Sequence, residues 1–264
     1  MTFGRALAGV VVLLMAGCGA AAPPAAVPVL VPEVLAEIPH DTSAFTQGLE
    51  LAPDRTGGDT GGALFEGTGR VGVSQLRELD PVTGALRRSV ALPEEYFGEG
   101  ITVVDDTIWQ LTWRDGVALE WDRATFTLRR EVPIDGEGWG LCHDGERLVR
   151  SDGTDRLRFH DPVTFAETGA VTVASAGTPV SMLNELECVD GLVYANVFQT
   201  DRIVIVDPQD GRVQAEVDAA GLLDDELRAR ADVLNGIAAA GGGELLLTGK
   251  LWPTVFRVRL VPAA

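Results

Sequence analysis

Apolar and polar positions along this chain recur in one order: a polar or aromatic residue, usually a glycine, an aliphatic residue, then a variable one. The pattern occurs at Gln47-Gly48-Leu49-Glu50, Glu99-Gly100-Ile101-Thr102, Trp139-Gly140-Leu141-Cys142, Asn184-Glu185-Leu186-Glu187 and Asn235-Gly236-Ile237-Ala238. Its second positions are 48, 100, 140, 185 and 236, so the spacing stays between 40 and 52 residues. Repeats of about 40–50 residues built from short strands predict a β-propeller. After each motif comes a turn and a second strand (Thr107–Leu111, Arg147–Arg150, Leu192–Val197, Glu244–Thr248). A third strand runs into an Asp-Pro turn in several units, as at Gln75–Asp80, Arg156–Asp161 and Arg202–Asp207. Proline presets φ at the first central turn position, and Gly or Asp suits the rest. A fourth strand closes each unit: Leu86–Leu92, Thr127–Ile134, Ala170–Ala174, Arg212–Val217. The expected fold is all-β: a five-bladed β-propeller of four-stranded antiparallel blades. The fifth unit ends at Val255–Leu260 and lacks a strand, which Val34–Ile38 would supply, closing the ring.

The residues before Val34 differ in kind. Arg5, an apolar run over 6–16 and Gly17-Cys18 have the make-up of a secretory signal, too short to span a membrane. Met15-Ala16-Gly17-Cys18 resembles the bacterial lipoprotein box, with Met15 where leucine is usual. The expected division is a lipoprotein signal peptide over 1–17, an Ala/Pro-rich tether over 18–33 and the propeller over 34–264. Lipidation at Cys18 would tether the protein to a membrane outside the cytoplasm; plain secretion or a periplasmic location is the alternative. In that oxidising setting Cys142 and Cys188, on adjacent innermost strands, are within reach of a disulfide, with two buried thiols the other arrangement. A net charge of −18 argues against nucleic acid as a partner. Of the 21 basic residues 20 are Arg, and the single Lys250 marks a site where a planar guanidinium will not serve. His40, His143 and His160 show no metal-ligand spacing. No metal or cofactor is expected beyond a structural cation in an axial channel, which Glu50 and Glu187 would face.

The motifs also occur in a telling order: Phe45-Thr46-Gln47-Gly48, Phe97-Gly98-Glu99-Gly100, Gly138-Trp139-Gly140-Leu141, Leu183-Asn184-Glu185-Leu186, Tyr194-Ala195-Asn196-Val197, Val233-Leu234-Asn235-Gly236 and Thr248-Gly249-Lys250-Leu251-Trp252-Pro253. Together they closely resemble the plant and bacterial type of glutaminyl-peptide cyclotransferase, from about Phe45 to Val258. The resemblance implies a five-bladed propeller that converts an N-terminal glutamine of a peptide or protein to pyroglutamate and releases ammonia. It places the catalytic acid at Glu99 and matches Phe45, Gln47, Phe97, Trp113, Trp139, Asn184 and Lys250 to pocket positions. Phe198 stands where the family commonly has tryptophan, Cys142 and Cys188 lie outside its pattern, and residues 54–62 look like an inserted Gly-rich hairpin tip.

In such a reaction the α-amine displaces ammonia from its own side-chain amide, so no external nucleophile is needed. One proton leaves the attacking nitrogen and one joins the leaving nitrogen, work that a single carboxyl at Glu99 can do. Lys250, Asn184 and Gln47 are candidate donors to the charged oxygen. Phe45, Phe97, Trp113, Trp139 and Phe198 would wall the pocket. A monomer is expected. The alternative function is a non-catalytic envelope propeller binding peptide or carbohydrate.

Overall fold

Strand-forming runs bounded by aspartate-capped turns give an all-β architecture with one short helix among the described residues. The computed structural model describes residues 26–53 and 62–263, together with Met1. The signal segment, Cys18 and nearly all of the 54–62 insertion lie outside the described residues. β1 (Val29–Pro39) comes first. The first unit is β2 (Thr46–Ala52), β3 (Ala63–Thr68), β4 (Gln75–Leu79) and β5 (Leu86–Ala91). The second is β6 (Gly98–Val104), β7 (Thr107–Thr112), β8 (Val117–Asp122) and β9 (Leu128–Pro133). The third is β10 (Leu141–His143), β11 (Leu148–Arg150), β12 (Arg156–His160) and β13 (Glu167–Thr172), followed by a small hairpin, β14 (Ala174–Ser175) and β15 (Thr178–Pro179). The fourth is β16 (Leu183–Val189), β17 (Leu192–Val197), β18 (Arg202–Val206) and β19 (Val213–Asp218). After α1 (Asp225–Arg228) come β20 (Leu234–Gly241), β21 (Glu244–Gly249) and β22 (Thr254–Pro262).

Each unit is an antiparallel meander. β1 lies antiparallel to β22, from Leu30 opposite Pro262 to Pro39 opposite Thr254. Its first residues also pair in parallel with β19, which merges the fourth and fifth units into one eight-stranded sheet. β1 starts at Val29, so the expected boundary at 33/34 is corrected: Val29–Glu33 belong to the sheet, not to the tether. Pro32 misled the sequence reading. It has no N–H to donate, yet proline is tolerated in an outer strand, and Pro32 sits in register opposite Leu260. The expected strand Ala170–Ala174 is also displaced. Val173 is fully buried, and Ala174 leaves the third unit to bond the Gly211 carbonyl of the fourth.

The turns form as their side chains dictate. Asp80 Oδ1 accepts from Val82 N and Thr83 N, and Asp161 Oδ1 from Val163 N and Thr164 N, so one carboxylate organises each reversal. The innermost strands β2, β6, β10, β16 and β20 touch in sequence, and β20 returns to β2. The apolar core is divided between neighbouring units. Phe65 and Leu76 pack with Ile101 and Ile108, Trp109 and Leu111 with Leu141 and Leu148, and Val149 and Leu157 with Leu186 and Val193. Ile203 and Ile205 meet Leu245 and Leu247, and Leu246 and Val255 meet Leu49 and Leu64. Cys142 of β10 and Cys188 of β16 form a disulfide, with Cα atoms 5.5 Å apart.

The repeated glycine is explained by how closely these inner strands approach. A Cβ on Gly48 would lie 2.5 Å from Ile101 N, and one on Gly140 2.0 Å from the Asn184 carbonyl oxygen. The fourth unit has Glu185 at this position. Its carboxyl accepts from Leu49 N (3.2 Å) and Ile237 N (2.8 Å), tying the first and fifth units to the fourth.

Candidate active site

In four of the five repeats the first position falls where the inner strand slips register against its neighbour: between Thr46 and Gly48, Gly98 and Ile101, Leu183 and Leu186, and Leu234 and Ile237. Irregularities of this kind re-aim a side chain. Here they turn Gln47, Glu99 and Asn184 into one cavity of about 410 Å³, which Trp139 also lines. Asn235, the fifth first-position residue, does not line it. It is fully buried and donates from Nδ2 to Gln47 Oε1 (3.2 Å).

Aromatic rings make the wall. Phe45 and Phe97 meet edge to face at 6.2 Å, Phe97 and Trp113 lie 5.5 Å apart, and Trp139 meets Phe198 edge to face at 5.5 Å. Lys250 enters between them, with Nζ 4.9 Å from the Phe45 ring centroid and 4.8 Å from that of Phe198. Its backbone is tied at both ends. Asp232 N donates to the Lys250 carbonyl, Lys250 N donates to Val233 O, and Leu251, in a left-handed turn, donates to Ala44 O. The fully buried Trp252 packs under this turn and donates from Nε1 to Asp232 O.

Glu99 is buried and accepts from Gln47 Nε2 at 2.9 Å. Burial pushes its pKa well above the carboxylate range; Lys250 works against this and Glu137 adds to it. Burial also pulls the Lys250 ammonium below its ordinary value, against Glu99 and Asp232. Both members of the pair are thus moved towards losing their charge. Asn184 lines the cavity, and its buried Oδ1 has no hydrogen-bond partner.

The cavity brings together all nine residues expected to bind or act. Sequence reasoning missed Glu137 and Arg114. Glu137 Oε2 accepts from both indoles, Trp113 Nε1 (2.8 Å) and Trp139 Nε1 (2.9 Å), while Oε1 accepts from Arg114 Nε (2.8 Å). Partial burial opposes its ionisation, but these donors prevail and hold its carboxyl below the usual range. The loop carrying Glu137 is braced by the fully buried Arg150, which donates to the carbonyls of Glu137 (2.7 Å) and Asp135 (3.0 Å). Arg150 Nε also donates to His160 Nε2. Burial lowers the His160 pKa to about 4, which keeps that nitrogen free to accept. The one available signal for Glu137 was an acid two residues before Trp139.

Glu50 and Glu187 are spent on neighbouring strands. Glu50 accepts from Val103 N and Glu187 from the Ala239 amide. Burial pushes Glu50 up to about 7, and burial and the Glu50 charge raise Glu187. Among the described residues no three His, Cys, Asp or Glu side chains form a group that would hold a metal ion.

A buried carboxyl and a buried ammonium in an aromatic cavity are the equipment of an acid–base enzyme. The chain belongs to the glutamine cyclotransferase family, which it matches over residues 8–260. It is 39% identical over 240 residues to glutaminyl-peptide cyclotransferase of Arabidopsis thaliana, covering 88% of this chain and 72% of that one. The crystal structure of Myxococcus xanthus glutaminyl cyclase superposes with a TM-score of 0.80 at 37% identity, over 90% of this chain and 99% of that chain.

Proposed function

We propose that the protein cyclises N-terminal glutaminyl residues of peptides and proteins to pyroglutamate with release of ammonia. The observation that carries this reading is Glu99, a buried carboxyl of raised pKa, beside Lys250 in an aromatic-walled cavity of about 410 Å³. The α-nitrogen attacks the side-chain amide carbon, the new C–N bond closes a five-membered lactam, and the bond to the amide nitrogen breaks. Glu99 takes the proton from the attacking nitrogen and returns it to the leaving one, so ammonia departs neutral. Lys250, with Asn184 and the second proton of Gln47 Nε2, stabilises the oxygen that carries charge between the two steps. The aromatic walls of Phe45, Phe97, Trp113, Trp139 and Phe198 keep competing water away from the carbonyl.

Purified protein given a Gln-initiated dipeptide in chelator-containing buffer is expected to release one ammonia per pyroglutamate formed. Tight binding of the dipeptide without ammonia release would establish the non-catalytic binding reading instead.

We infer that the fold is a five-bladed β-propeller with β1 as the outermost strand of the fifth blade. Its support is the five meanders, the circuit of inner strands and the β1–β22 ladder. The enzyme acts outside the cytoplasm, tethered through a lipid on Cys18. The support is the sequence alone: Arg5, the short apolar run and the Met15-Ala16-Gly17-Cys18 motif. Cys18→Ser is expected to move the protein from the membrane to the soluble fraction or to stop its processing. Membrane association unchanged by the substitution, with no acyl mass on Cys18, would refute the anchor.

A further inference from the structure

Asn235 holds the equivalent of Gln47 and Glu99 in the fifth repeat, yet its side chain does not line the cavity. The hydrogen bonds around it form a chain with a fixed direction. The Thr46 carbonyl oxygen can only accept. Asn235 Nδ2 lies 3.0 Å from it and donates. The same nitrogen has a second proton and lies 3.2 Å from Gln47, so the end of Gln47 facing it must be Oε1. The other end, Nε2, is then the end that meets Glu99 Oε1 at 2.9 Å. An amide nitrogen only donates. Glu99 Oε1 is therefore an acceptor whatever the charge on the carboxyl, and any proton Glu99 carries must be on Oε2.

We propose that Asn235 is a positioning residue that, through Gln47, fixes which oxygen of Glu99 receives and hands over the proton. The inference rests on Glu99 being the proton carrier proposed above. Without the chain, Gln47 is free to turn end for end, a rotation of its amide that changes the volume of neither end. Its Oε1 would then face Glu99 and draw the proton onto the wrong oxygen, away from the two nitrogens that exchange it. Asn235 is itself held in place: Gly236 N donates to Asn196 Oδ1 (3.1 Å), and Gly236 has a φ of +126°. The charged groups facing Glu99 are Lys250, from the turn between β21 and β22, and Glu137, from the loop before β10. Neither bonds to Asn235, so a change there leaves both in place.

Two substitutions test the proposal. Asn235→Ala frees Gln47. Asn235→Asp keeps the shape but replaces the donor with an acceptor, which favours the reversed Gln47. Both are expected to lower kcat by about tenfold to a hundredfold, the scale of a misplaced reacting group, with KM changed by less than about threefold. The acid limb of the kcat/KM profile should move to higher pH in Asn235→Ala, because the carboxylate loses a donor that stabilises its charge. In a Glu99→Gln background Asn235→Ala should cost much less than in the parent, since only the donor that Gln47 offers the charged oxygen is then left to lose. If Asn235→Ala destabilises the fold, the near-isosteric Asn235→Asp gives the same reading. An inactive Glu99→Gln beside an Asn235→Ala with parental kcat and pH profile would overturn this inference alone. So would an Asn235 effect of equal size in both backgrounds, which marks a merely structural role. A fully active Glu99→Gln would overturn both readings.

Discussion

Glu99→Gln is expected to lower kcat by about 10²–10⁴-fold, the usual contribution of a general acid–base group, and to leave the protein folded. Glutamine keeps the side chain's shape but cannot take a proton from an amine. Stability should not suffer, because Glu99 is held in a site that already disfavours its charge. The control is Glu187→Gln. Glu187 is also a buried inner-strand carboxyl of raised pKa, but it bonds the Ala239 amide and does not line the cavity. Its replacement should leave kcat within a few-fold of the parent, because surroundings away from the reacting atoms act only through packing. Steady-state kinetics on both variants separate a role in proton transfer from a role in the inner strands. Equal losses in the two, or a Glu99→Gln enzyme with near-full kcat, would end the assignment.

Lys250→Arg is the second large effect. Charge is preserved, yet kcat should fall by about 10²–10³-fold, the cost of removing one donor to a charged oxygen. The ammonium sits between the Phe45 and Phe198 rings, each just under 5 Å from Nζ. A guanidinium is wider and planar, and stacks on aromatic faces. It would lie flat on one ring and aim its donors along the wall instead of at the substrate. Its pKa also stays high where that of lysine has been drawn down, so the exchangeable Glu99–Lys250 pair becomes a fixed cation beside the carboxyl. Parental kcat in Lys250→Arg would show that only charge matters there and would sink the geometric argument.

Much of this site was legible because it follows from one repeat. The first position of the motif selected Gln47, Glu99, Trp139 and Asn184, and the register slip that aims Gln47, Glu99 and Asn184 is itself repeated. The lone lysine in an arginine-rich chain picked out Lys250 by composition alone. Strand cores such as Leu192–Val197 followed from the repeat and the turn residues before them. What stayed hidden depends on approach in space. Glu137 joins the Trp139 indole of its own loop to Trp113 and Arg114 of another, and only its place two residues before Trp139 hints at this in the sequence. Asn235 looked equivalent to its repeat partners until its bond to Gln47 was seen. The four-residue α1, held by Asp224 accepting from Leu227 N, is too short to show a helical period. Strand ends slid where a neighbouring unit captured the chain, as at Ala174.

The ladder between β1 and β22 has a consequence for synthesis. The first described strand to leave the ribosome finds its antiparallel partner only in the last, since Ile38 waits for Val255 and Leu30 for Pro262. The nascent chain can collapse its middle meanders, but the fifth one stays incomplete until β22 has been made. Closing so long a loop costs little more entropy than closing a shorter one, because the cost grows only with the logarithm of length. The burden falls on time: an eleven-residue edge strand is exposed throughout. Its composition answers that exposure. Pro32 and Pro39 interrupt its donors, and Glu33 and Glu37 add like charges, the features that keep unpaired strands from pairing with other copies. Pro32, which hid the first half of β1 in the expected tether, is therefore one of the residues that protect the strand while it waits.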